Sequence, residues 1–213
     1  MAMDRAHRGA PGWNLARFLQ SHEHLPSAVT VMNHRPFRNL ALASFLTAAA
    51  AGCSSNPPMP TVDHVDLERF MGDWYVIANI PTFLERGAHN AVERYSLNPD
   101  GTIATVFTFR KDGFDGEKKR YTPRGFVRSE NNAEWGMRFI WPIKAEFLII
   151  DLDEDYTQTV IGRSKRDYVW IMAREPAIPE ADYQRILALL ADLGYDTSEI
   201  ERVPQRWPEP SNP

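Results

Sequence analysis

From Gly72 to Arg174 the sequence is a train of short runs in which aromatic and β-branched residues alternate with polar ones, punctuated by Pro, Gly, Asn and Asp. That two-residue period belongs to strands with one buried face, and connections this tight join neighbours antiparallel. The first strand starts Gly72-Asp73-Trp74-Tyr75-Val76-Ile77-Ala78, after a short helical turn over 66–70 that sets Leu67 and Phe70 three apart. Alternation puts Trp74, Val76 and Ala78 on one face and Tyr75, Ile77 and Asn79 on the other. Residues 81–87 break the strand and read as a lid-like loop. Further strands are expected over 90–97, 102–110, 119–128, 133–141, 146–152, 156–163 and 168–174. Pro123 interrupts the fourth, which makes it an edge or bulged strand. Eight short antiparallel strands suit an all-β fold, an up-and-down barrel closed on one shared interior; a two-sheet sandwich has the same periodicity and is the alternative.

After Glu175-Pro176 comes a C-terminal α-helix. Pro179 suits its first position, and Tyr183, Ile186, Leu189, Leu190 and Leu193 make an apolar stripe ending before Gly194. Glu180, Asp182 and Asp192 flank the stripe, so it is expected to pack on the outside of the barrel rather than lie on lipid. Residues 196–199 have the spacing of a second helix cap. Residues 204–213 form a Pro-rich tail, expected to be poorly ordered.

The 213 residues are 43% hydrophobic, enough for one substantial core. The net charge is −4, and beyond residue 52 there are 19 basic side chains against 26 acidic ones. Nucleic acid needs a basic face and is excluded as a partner. One Cys allows no internal disulfide. Two His beyond residue 52, His64 and His89, are too few for a His-built zinc site, and no metal or cofactor is expected.

Arg35 and Arg38 precede an apolar run over 40–51, followed by Gly52-Cys53-Ser54-Ser55. A basic segment, a short apolar run and small residues are the parts of a secretory signal. The run falls short of the ~20 residues that span a bilayer; a buried Ala-rich helix is the alternative. Ala50-Ala51-Gly52-Cys53 resembles the bacterial lipoprotein box, with Ala50 where Leu is usual. That resemblance implies cleavage before Cys53, acylation of its new N-terminus and thiol, and, with Ser54 rather than Asp following, the outer membrane. Residues 1–31 fit no signal whereas Met32 opens one, so 32–52 is expected to be the signal peptide and 1–31 a start-site artefact. Stable anchoring takes more than one acyl chain, which a lipoprotein has. Residues 53–61 read as a stiffened tether, and 62–203 as barrel and helix.

Three segments carry a wider resemblance: Gly72-Asp73-Trp74-Tyr75, Asp151-Leu152-Asp153-Glu154-Asp155-Tyr156, and the run from Arg166 to Pro176. Followed by a single helix, they resemble the lipocalins, specifically the bacterial lipocalins anchored as outer-membrane lipoproteins, over 62–203. Gly-x-Trp alone recurs by chance; in register with the Asp-Tyr turn and a final-strand Arg it is specific. The resemblance implies that Arg174 lies across the closed end against Trp74, with Gly72 beside them as barrel-closing scaffold. It also implies an apolar ligand such as a fatty acid or lysophospholipid. Tyr95, Phe107, Phe139, Trp141, Phe147 and Trp170 are the candidate ligand contacts, although a one-residue slip would turn any of them outward. Glu93, Arg94 and Arg138 are either headgroup contacts or solvated outer-face residues.

An enzyme would need a positioned nucleophile or base. The only Cys is the expected lipid anchor, Asp151, Asp153, Glu154 and Asp155 sit at a turn, and two His give no Ser-His-Asp set. The chain therefore reads as a non-enzyme that binds, stores or transports a lipid-like ligand on the periplasmic side of the outer membrane, as monomer or dimer. A protein-interaction lipoprotein with a vestigial pocket is the third reading.

Overall fold

The computed structural model describes residues 56–140 and 143–209. The leader, Cys53, Trp141 and residues 210–213 lie outside the described residues. The single turn α1 (Leu67–Phe70) is capped by Asp66, whose carboxylate accepts the backbone N–H groups of Glu68 and Arg69. The chain then runs β1 (Gly72–Ile80), β2 (Ala88–Leu97), β3 (Thr102–Lys111), β4 (Lys118–Tyr121), β5 (Arg124–Val127), β6 (Glu134–Ile140), β7 (Ile143–Leu152), β8 (Gln158–Gly162) and β9 (Val169–Ala173). Neighbours around the sheet pair antiparallel, and β9 pairs back onto β1, which closes a barrel and rules out the sandwich. Pro123 does split the fourth strand: β4 and β5 pair with β3 one after the other and share one of eight positions.

Apolar side chains fall into two compartments. One fills the barrel, around Phe70, Trp74, Tyr95, Trp135 and Phe147. The other lies between the barrel wall and α2 (Glu180–Asp192), where Tyr183, Ile186 and Leu190 meet Ile77, Val160, Val169 and Ile171. Pro179 sits at the N-cap, one residue ahead of the first helical position expected for it. Asp196 accepts the Ser198 N–H and caps a 3-10 turn at Thr197–Glu199.

Two departures from the simple pattern shape the open end. A register shift between Val76 and Ala78 puts an extra residue into β1. Trp74 and Val76 face the interior, but Ala78, expected on their face, packs with Ile77 on the helix side. The second departure is the C-terminal segment. β1 pairs with β2 only over Gly72–Tyr75, and beyond that β10 (Glu201–Arg202) pairs with Ala78 and Asn79. Val203 N donates to Ile77 O, Asn90 N to Pro204 O, and the Gln205 amide to both Val76 O and Ala91 O. Asn90 and Arg206 exchange two further bonds, and Glu209 meets Arg110 and Lys118. Residues 204–209, expected to be poorly ordered, instead fill the seam between two bulged strands, whose freed carbonyls need donors.

Candidate ligand-binding site

The barrel is shut at one end by an aromatic floor. Trp135 stacks on Phe147 with ring centres 4.8 Å apart, and Phe70 meets Trp74, Tyr95 and Trp135 at 5.0, 5.7 and 5.4 Å. Trp74 Nε1 donates to Phe70 O at 2.9 Å. The Arg174 guanidinium lies 3.7 Å from the centre of the Trp74 ring and donates to the carbonyls of Arg69, Phe70, Asp73 and Tyr156. A partly desolvated cation over indole is worth about 2 kcal/mol. Gly72 has φ +100°, which favours glycine, and a Cβ there would stand 3.2 Å from Arg174 Nη1, close enough to press the guanidinium off its place by a few tenths of an ångström.

Above the floor, toward the other end, is a cavity of about 260 Å³. Phe107, Tyr121, Tyr168 and Trp170 line it, with Phe139 at its edge and Thr82, Phe83, Leu84 and Glu85 reaching in from the β1–β2 loop. A smaller void of about 30 Å³ against Met137 and Phe147 shares Glu93, Phe139 and Trp170 with it. The loop is held by Glu85, which accepts Trp170 Nε1 at 2.8 Å and Thr82 N at 2.9 Å. Arg163 contributes the cationic group: its Nη1 is 3.2 Å from Asp167, while its buried Nε has no partner among the described residues.

Glu93 lines both the cavity and the small void. It is 9% exposed, and its carboxylate accepts the Tyr95 hydroxyl. Burial pushes its pKa up to about 7, with the nearby Glu85 adding to the rise and the Tyr95 bond opposing it. Burial, and then the Glu93 charge, raise the Tyr95 hydroxyl well above its ordinary value.

Of the candidates read from sequence, Phe107, Phe139 and Trp170 line the main cavity and Phe147 the small void. Tyr95 lies below, in the floor, packed on Phe70, Trp135 and Phe147. Trp141 lies outside the described residues. Arg94 is solvated and pairs with Asp73; Arg138 lies 4.8 Å over the Phe126 ring. The outer-face reading fails for Glu93, which is buried at the cavity. Its signal was available: it stands two residues before Tyr95 and so shares the inward face. Tyr121, Tyr168 and the loop residues gave no comparable signal, because their contacts depend on how β4 and two loops fold over the mouth.

Residues 65–205 match the lipocalin-like domain family. The chain is 30% identical to temperature-induced lipocalin-1 of Arabidopsis thaliana over 159 residues, which covers 69% of this chain and 83% of the relative. It is 29% identical to the outer membrane lipoprotein Blc of Escherichia coli K12 over 177 residues, covering 80% and 96%. Among solved structures, insecticyanin from the tobacco hornworm Manduca sexta superposes with a TM-score of 0.55 at 14% identity, over 69% of this chain and 84% of that one, a likeness of fold alone. Proteins of this kind are generally binding and transport proteins rather than enzymes. With the barrel closed by β1 and β9, one helix on its wall and two thirds of its length matching the domain, this chain belongs to the lipocalin-like family, with the bacterial Blc lipoproteins among its relatives.

Proposed function

We propose that the barrel binds one small amphiphile, such as a fatty acid or lysophospholipid, with its acyl chain in the cavity and its headgroup at the mouth. We further propose that acylated Cys53 holds the protein to the periplasmic face of the outer membrane. The observation that carries the binding role is the cavity itself: aromatic walls, an aromatic floor and about 260 Å³ of space. That volume lies just under the usual range for small-molecule sites and fits one ligand rather than several. Acyl burial at ~25 cal/mol per Å² supplies the affinity. Arg163 in the cavity lining, whose buried Nε–H has no partner among the described residues, supports an anionic headgroup, since a hydrogen bond to a charged group contributes about 1.5–3 kcal/mol. The Blc relatives, named as outer membrane lipoproteins, support the envelope location.

The test is a titration with a fluorescent long-chain fatty acid. Stoichiometric binding that a lysophospholipid displaces is expected, and Arg163→Gln is expected to weaken the anionic probe by about tenfold, more than a monoacylglycerol. A wild-type protein that binds neither probe contradicts the proposal.

A further inference from the structure

We propose that the open end of the barrel is a membrane-docking surface. The β1–β2 and β8–β9 loops seat on the leaflet that carries the anchor, so the cavity mouth opens onto lipid. This rests on the reading of Cys53 as the acylated residue.

The first argument is where the tether leaves the fold. The Asn56 side-chain amide lies 3.5 Å from Lys165 O, in the loop joining β8 to β9 at the open end. Met59 is buried on the helix side of the wall, Val62 N donates to Ile149 O, and Val65 N donates to Asn131 O beside the floor. The described chain thus descends the barrel from mouth to floor. Cys53 precedes Asn56 by three residues, a reach of at most about 10 Å. The floor lies a full strand away, roughly 25–30 Å. An acyl group on Cys53 therefore sits beside the mouth and cannot bring the floor to the membrane.

The second argument is what the mouth exposes. Three large hydrophobic side chains are exposed among the described residues, and two of them stand on this rim: Phe83 at 75% and Phe139 at 52%. Exposed basic side chains flank them, Arg86, Lys144 and Lys165, whereas the loops at the floor expose Asp100, Glu130, Glu154 and Asp155 against one cation, Arg128. Exposed Asp112, Asp115 and Glu117 lie on the β3–β4 loop, where Asp112 N donates to Gly87 O at the far end of the β1–β2 loop, but each is paired, with Lys111, Arg206 and Lys119; the Phe83 part of the β1–β2 loop and the β6–β9 side are laid against lipid. Aromatic side chains among cations suit an interface containing anionic phospholipid; an acidic floor does not.

The test couples Cys53, the sole thiol, to a maleimide lipid in vesicles of phosphatidylethanolamine and phosphatidylglycerol, using the chain from Cys53 onward, which contains every described element. Amide exchange is compared with the same chain capped at Cys53 and free in solution. Exchange over 81–87 and 163–168 is expected to slow several-fold on vesicles, with 98–101 and 153–157 unchanged, and Phe83→Ser is expected to reduce that slowing. Protection at the floor loops, or none anywhere, overturns the proposal. The coupling imposes attachment, so a failure of the acylation reading appears elsewhere, as a missing lipid mass on Cys53 from cells.

Discussion

Arg174 and Glu93 are charged groups in the same apolar barrel with opposite fates. Arg174 gives its N–H groups to four carbonyls and its face to Trp74, so its charge is compensated and the floor is held shut. Trp74→Ala is expected to destabilise the fold by about 3–5 kcal/mol in denaturant unfolding. An unchanged transition would reject the scaffold role. Glu93 has one hydroxyl donor and another carboxylate nearby, and its charged form is disfavoured. Its pKa in the fold, about 7, is above the ordinary 4.5, so between those values the folded protein keeps a proton the unfolded chain has lost. The contribution of Glu93 is therefore full below pH 4.5 and lost as pH rises through 7. Glu93→Gln is expected to match the wild type near pH 4.5 and to exceed it at pH 8 by roughly 3 kcal/mol in urea unfolding. Fatty-acid affinity is expected to fall over the same upward range in the wild type and to stay flatter in the variant.

Among elements, strand and helix identities were legible because alternation and the stripe from Tyr183 to Leu193 report burial directly. The β1 bulge was not, since nothing local in Val76-Ile77-Ala78 marks an extra residue, and Ala78 consequently changed face. The C-terminal segment departs from the coil expected of it for a related reason. Its Pro content reads as an exposed coil, while its role is fixed by carbonyls of β1 and β2 over a hundred residues away. Gln205→Ala is expected to cost about 1–3 kcal/mol, because Val76 O and Ala91 O lose their donor. Faster amide exchange confined to β1, β2 and 201–206 would show it; uniform exchange across the barrel would speak against the seam.

For the whole molecule, barrel closure could be read from the number of short strands and the tightness of their turns. Depth along the axis could not. Sequence assigns a residue to a face, but Tyr95 and Phe107 share the interior while one fills the floor and the other lines the cavity. Side chains in a small barrel stack in layers, and which layer stays empty depends on residues from several strands and the loop over 81–87 together. Membrane attachment belongs to this scale as well. Cys53→Ser is expected to leave the thermal transition intact and move the protein to the soluble fraction; continued sedimentation with membranes would contradict the anchor. The binding role is most directly tested by native mass spectrometry of the protein after gentle extraction from the envelope. One lipid-sized adduct per chain, lost on adding excess fatty acid, is the predicted result; a barrel that is always empty and admits no added amphiphile would contradict it.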